Sequence, residues 1–78
     1  MEYYKFKNYM FSLRDILSVE RALETIVIKY KSGHVVKLVL DGLTDSKFIY
    51  NHLEEYLINF KKYSDMMKEV REYLKGGK

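Results

Sequence analysis

Few side chains in this sequence carry reactive chemistry, and their spacing decides what they can do. His34 and His52 are the only histidines, and cysteine is absent. His52 stands one helical turn before Glu55, so on a helix the two share a face. A His-x-x-Glu pair can hold a metal inside a bundle, but it needs further ligands, and one histidine beside carboxylates reads instead as a surface ion-pair cluster. Asp41, Asp45, Glu54 and Glu55 fall at a turn, a helix start and an exposed helix face, positions that account for them without acid–base catalysis. Ser12, Ser18, Ser32, Ser46 and Ser64 lack the context of a nucleophile elbow. The absence of cysteine removes thiol catalysis and thiolate metal sites. The expectation is a chain that is not an enzyme, with no catalytic residue, metal or cofactor.

Nucleic-acid binding is a second chemistry to weigh. Tyr3, Tyr4, Phe6, Tyr9 and Phe11 interleave with Lys5 and Lys7, and with Lys29, Lys31 and Lys37 they could form a sheet that stacks bases and contacts phosphates. Residues 61–78 hold the whole net excess of +3, with Lys61, Lys62, Lys68, Arg71, Lys75 and Lys78 against three carboxylates. The plainer account is a solvated helix face with interspersed lysine and glutamate. The aromatics likewise have a plainer use: a chain whose one alanine is Ala22 must fill its interior with large side chains. Neither an RNP-type aromatic signature nor a helix-turn-helix glycine turn is present. Lys5, Lys7, Lys29, Lys37, Lys61, Lys62 and Lys68 are the candidate contacts of this alternative.

Eight tyrosines, many lysines and isoleucines and no proline are the bias of low-GC coding sequence, so a low-GC bacterium, its phage or a plasmid is the expected source. The N-terminal stretch "MEYYKFKNYMFSL" is charged at Glu2, Lys5 and Lys7 and fits neither a signal peptide nor a membrane span, so no membrane association and a cytoplasmic location are expected.

The elements that must position these residues are plain in part. Seventy-eight residues suit one small domain, 1–78, with a β-rich part at 1–41 and a helical part at 44–75. In "ETIVIKYKSGHVVKLVLDG" two alternating β-branched runs flank Ser32-Gly33, the signature of a hairpin. Alternation puts Ile26, Ile28 and Tyr30, with Val36, Leu38 and Leu40, toward the core, and Lys29, Lys31 and Lys37 outward. "YYKFKNYMFSL" has the composition of one N-terminal strand. Residues 12–20 fit a short helix or a strand, and the strand is preferred because it continues an antiparallel meander. Thr44 suits an N-cap, with Leu43 and Phe48 as a hydrophobic staple, and Gly76-Gly77 supplies the stop. The fold expected is α+β: a meander of three to four antiparallel strands followed by one long C-terminal helix, with a break near Ser64 as the alternative.

That helix is too long for its sheet. At full length it spans about 45 Å, whereas a seven-residue strand spans about 23 Å. Ile49, Leu53, Tyr56, Phe60, Tyr63, Met67, Val70 and Leu74 follow 4-3 spacing throughout, while Tyr50, Leu57, Ile58, Met66 and Tyr73 widen the apolar face beyond what one partner needs. The second half then requires a second cover. Two arrangements supply it: a second copy of the chain, contacting Tyr63, Met67, Val70 and Leu74, or a last helix, capped at Ser64-Asp65, that folds back. The dimer is preferred, which makes the chain a homodimeric protein-interaction module, a regulator or inhibitor with a further protein partner. Leu38→Ala and Phe60→Ala are each expected to cost about 2–5 kcal/mol if both face the core, and Lys37→Ala little.

Overall fold

The computed structural model describes residues 2–76, which form five strands and two helices in an α+β arrangement. The N-terminal strand expected from composition is a hairpin: β1 (Tyr3–Phe6) and β2 (Tyr9–Ser12) pair antiparallel around Lys7-Asn8. Lys7 adopts the left-handed region at φ 53°, which lets so short a connection reverse the chain. The aromatic alternation runs through both strands, so composition did not mark the turn between them.

The stretch 12–20, expected as one strand, is divided by a turn at Arg14-Asp15: Ser12 ends β2, and Ile16 opens β3 (Ile16–Ala22), followed by β4 (Thr25–Tyr30) and β5 (Val35–Val39) in a separate antiparallel sheet of order β3-β4-β5. The turn between β4 and β5 places Gly33 at φ 97°, a conformation that asks for glycine. A bulge at Leu17 shifts the β3 register and leaves that side chain exposed, while Val19 and Arg21 pair with Ile28 and Ile26. Two tyrosine hydroxyls tie the sheets together: Tyr30 donates to the Ser12 carbonyl and Tyr9 to the Val39 carbonyl, each at 2.6 Å.

The long C-terminal helix is two helices, α1 (Leu43–Ile58) and α2 (Tyr63–Leu74). Folding back shortens the protein: its longest dimension is 37 Å, less than the ~45 Å of an unbroken helix. The chain stops at Asn59, whose N–H, like that of Lys61, bonds to the Glu55 carbonyl, and Phe60 takes φ 59°, the left-handed position usually filled by glycine at a helix end. The break thus precedes Ser64-Asp65, which lie in the first turn of α2. Thr44 is likewise inside α1, and Gly42 stands at the N-cap with no side-chain hydrogen bond. Gly76, at φ 85°, ends α2, while Gly77 lies outside the described residues.

The core gathers Tyr4, Phe6 and Phe11 from the hairpin, Ile16, Ile26, Ile28, Tyr30 and Leu38 from the sheet, Ile49 and Leu53 from α1, and Met66 and Val70 from α2. α1 covers β3 and β4, and α2 lies beside β1. The inward set Ile26, Ile28, Tyr30, Leu38 and Leu40 is buried, and Val36 is partly so. Lys29 and Lys37 face solvent beside Val35 and Val39.

Phe60 corrects the expectation most clearly. It is 85% exposed, because the left-handed turn aims it away from both helices. Leu38→Ala, by contrast, removes a side chain that is 6% exposed, and should cost about 2–5 kcal/mol in urea unfolding. Phe60→Ala and Lys37→Ala should each stay within about 0.5 kcal/mol, as surface changes do. A cost for Phe60→Ala comparable to that of Leu38→Ala would mean that residues 59–62 pack inward after all.

Candidate functional site

His52, on α1, lies in the interior at 3% exposure with both ring nitrogens partnered. Nδ1 is 2.8 Å from the hydroxyl of Tyr4 on β1, and Nε2 is 2.6 Å from Glu69 Oε1 on α2. The network satisfies every group when Tyr4 donates to Nδ1 and the Nε2–H donates to the carboxylate. Glu69 in turn meets the Lys61 ammonium at 2.9 Å, and Lys61 also meets Glu55 at 3.3 Å. The Lys61 contact, followed by the His52 hydrogen bond, holds the Glu69 carboxyl below its ordinary range against the opposing effect of burial. Burial, reinforced by the negative charge of Glu69, pushes the Tyr4 hydroxyl far up, so it stays a donor.

This Tyr–His–Glu row resembles a catalytic relay in its order of groups. Tyr4 is wholly buried, however, and its ring is packed against Phe11 and the His52 edge, so the hydroxyl end of the row is closed to solvent while Glu69 at the other end is partly exposed. The row joins β1, α1 and α2. His52 therefore pairs with Glu69 rather than with Glu55, and among the described residues no group of three or more His, Cys, Asp and Glu side chains is placed to hold a metal.

A second polar cluster caps the other end of the helix pair. Asp45 at the start of α1 accepts from the Tyr73 hydroxyl at 2.6 Å and from Lys7 at 3.0 Å, and Lys7 also reaches Asp41 at 3.3 Å. Burial works against the charged form of Asp45, but the hydrogen bonds from Tyr73 and Lys7 outweigh it and leave the carboxyl below its ordinary range. Burial, then the bond to Asp45, raises the Tyr73 hydroxyl to about 12.

One open feature of the surface is a groove of about 680 Å³ between the outer face of the β1–β2 hairpin and one side of α2. Its walls are Tyr3 and Met10 from the hairpin and Tyr63, Met67 and Leu74 from the helix. Leu74 is 41% and Met10 63% exposed. The Tyr63 hydroxyl donates to the Tyr3 carbonyl on the unpaired side of β1, which anchors the N-terminus of α2 against that strand. Lys5 and Arg71 stand in the lining, which contains no carboxylate.

The structure sorts the candidate residues of the sequence. Tyr63, Met67 and Leu74 share the groove, whereas Val70 is 3% exposed and belongs mainly to the core. Of the apolar residues expected along 63–74, Met66 and Val70 are buried, Tyr63 and Met67 partly so, and Leu74 is exposed. Among the candidate phosphate contacts, Lys7 and Lys61 are each held by two carboxylates, and Lys29 approaches Glu20 at 3.9 Å. Lys5, Lys37, Lys62 and Lys68 make no ion pair among the described residues, and Lys78 lies outside them. The groove's hairpin wall escaped sequence reasoning because Tyr3 and Met10 come together only once the Lys7-Asn8 turn is known. No helix of the described residues is long and apolar enough to cross a membrane. Comparison with protein-family models, with curated proteins and with solved structures returned no significant match.

Two measurements test the buried network. Tyr4→Phe keeps the ring but leaves His52 Nδ1 without its donor, and should cost about 1–3 kcal/mol in denaturant unfolding. A neutral result would show that water or a shifted ring replaces the hydroxyl. The depressed carboxyls of Glu69 and Asp45 are lower in the folded than in the unfolded chain. Their stabilisation is therefore complete above the ordinary values of 4.5 and 3.8 and is lost as pH falls through the lower folded-state values. Unfolding midpoints taken from pH 7 to pH 2 should show that acid loss, and Glu69→Gln should flatten it.

Proposed function

We propose that this chain is a small non-enzymatic protein-interaction module, of the regulator or inhibitor kind, and that it binds through the groove between the β1–β2 hairpin and α2. The observation that carries the reading is the groove itself, where Tyr3, Met10 and Leu74 stand exposed beside Tyr63 and Met67, which are partly buried against the core. Contiguous exposed apolar surface of this kind marks interaction sites on small proteins. Tyrosine and methionine are also the side chains enriched where proteins bind one another. The alternative of nucleic-acid binding is weakened, because two of its seven lysines are neutralised by paired carboxylates.

Self-association is the second reading. The strip Tyr63, Met67 and Leu74 favours it, as a two-fold pair would cover both copies of one surface. Its original motive is reduced, since Val70 and Met66 are buried within one chain.

Light scattering over a range of concentrations, with affinity capture from the source cell, tests both. Met67→Asp should leave circular dichroism unchanged and abolish capture of a specific partner, while Val70→Asp should unfold the chain by burying a charge. Capture that survives Met67→Asp would remove the groove from the proposal. A concentration-dependent doubling of mass that Met67→Asp abolishes would favour the second copy.

A further inference from the structure

We infer that the groove accepts an acidic segment of another protein, one that presents large apolar side chains flanked by aspartate or glutamate. The inference rests on the interaction reading above and names the chemistry of the partner. Lys5 and Arg71 stand in the lining and make no ion pair among the described residues. Lys7 also borders the groove, but Asp41 and Asp45 already neutralise it. The site is thus apolar in its walls and positive in its uncompensated charge, and a partner that covers it must bring carboxylates or leave two cations partly desolvated and unpaired.

The same charges argue against a second copy. Two-fold pairing across this face would set the Arg71 and Lys5 of one chain near those of the other, and like charges brought together in a partly dry interface oppose the contact. A phosphate backbone would answer the cations, but it would leave Met10, Met67 and Leu74 facing polar groups. The volume of about 680 Å³ lies within the usual range for binding clefts and has room for several large side chains. Met10 and Met67 add adaptable walls, because an unbranched thioether repacks around different guests.

The test begins with selection of random-sequence displayed peptides on the full chain, using Met67→Asp as the counter-target. Enriched peptides should combine Leu, Phe or Met with an excess of Asp and Glu. Their affinity, read by fluorescence anisotropy, should fall about tenfold on Arg71→Glu or Lys5→Glu and weaken with salt. Peptides with Lys in place of the acids should recover binding to Arg71→Glu, a charge reversal that misfolding cannot produce. Enriched peptides that depend on Met67 but carry no acidic excess would overturn the inference and leave the interaction reading standing. Absence of any Met67-dependent peptide would overturn both. A chain that pairs with itself in light scattering until Met67 is changed, or that binds a random single-stranded oligonucleotide until Arg71 is changed, would equally overturn it.

Discussion

The rest of the fold depends on how His52 is satisfied. An imidazole in the interior costs free energy unless both nitrogens find partners, and the partners here lie on two other elements: Tyr4 on β1 and Glu69 on α2. Only an arrangement that brings hairpin and second helix to opposite sides of α1's ring meets that demand. A polar group buried in this way adds little net stability, yet it selects among packings, since each misplaced alternative leaves a donor or acceptor stranded. Glu69 extends the constraint outward. Its second oxygen holds Lys61, which also holds Glu55, so the four residues between the helices are fastened to both.

An apolar layer lies next to this polar one and joins the same three elements. Phe48 stacks on Tyr73 with ring centroids 3.9 Å apart, and Phe6 packs against both rings. Tyr73 then passes its hydroxyl to Asp45, whose other oxygen takes Lys7. α2 has twelve residues, close to the length below which an isolated helix is marginal in water. Its helicity is therefore a product of docking: Tyr63 fixes its start on β1, Glu69 its middle on His52, and Tyr73 its end on Phe48 and Asp45.

Much of this was legible in residue order, and the losses have physical causes. The β4–β5 hairpin, its inward face and the extended nature of β3 follow from alternation and the Ser32-Gly33 turn, because period-two patterning is enforced by burial of one face. The helix break entered only as the alternative, near Ser64, because Phe60 falls in phase with the apolar stripe on either side, so periodicity alone runs through it. Asn59 was the available signal, a residue suited to a helix end, but the left-handed residue after it is phenylalanine instead of glycine. The Lys7-Asn8 turn was hidden for a similar reason: lysine is not a residue that announces a positive φ. The polar network could not be read at all, since Tyr4, His52 and Glu69 are far apart in sequence and their pairing exists only once α2 has folded back. Of the groove, sequence supplied one wall, Tyr63, Met67 and Leu74, and missed the other.

The apolar coverage of the C-terminal region, too wide for a single partner, is resolved by the geometry of α2. Met66 and Val70 are buried and Tyr73 packs on Phe48 and Phe6, while Tyr63, Met67 and Leu74 line the groove, Tyr63 and Met67 with part of their surface against the core. A helix advances about 100° per residue, so neighbours such as Met66 and Met67 can serve different surfaces. One of the two faces is covered by the chain itself. What remains on the open side is the narrower stripe, whose neighbours on the same helix, Met66 and Val70, are buried in the core. Lys5 and Arg71 sit on either side of it, one from the strand and one from the helix, so the fold that buries Val70 also sets the spacing of the charges at the groove. The buried core and the groove wall thus draw on adjacent residues of one short helix, and a change that loosens the inward face also shifts the outward one.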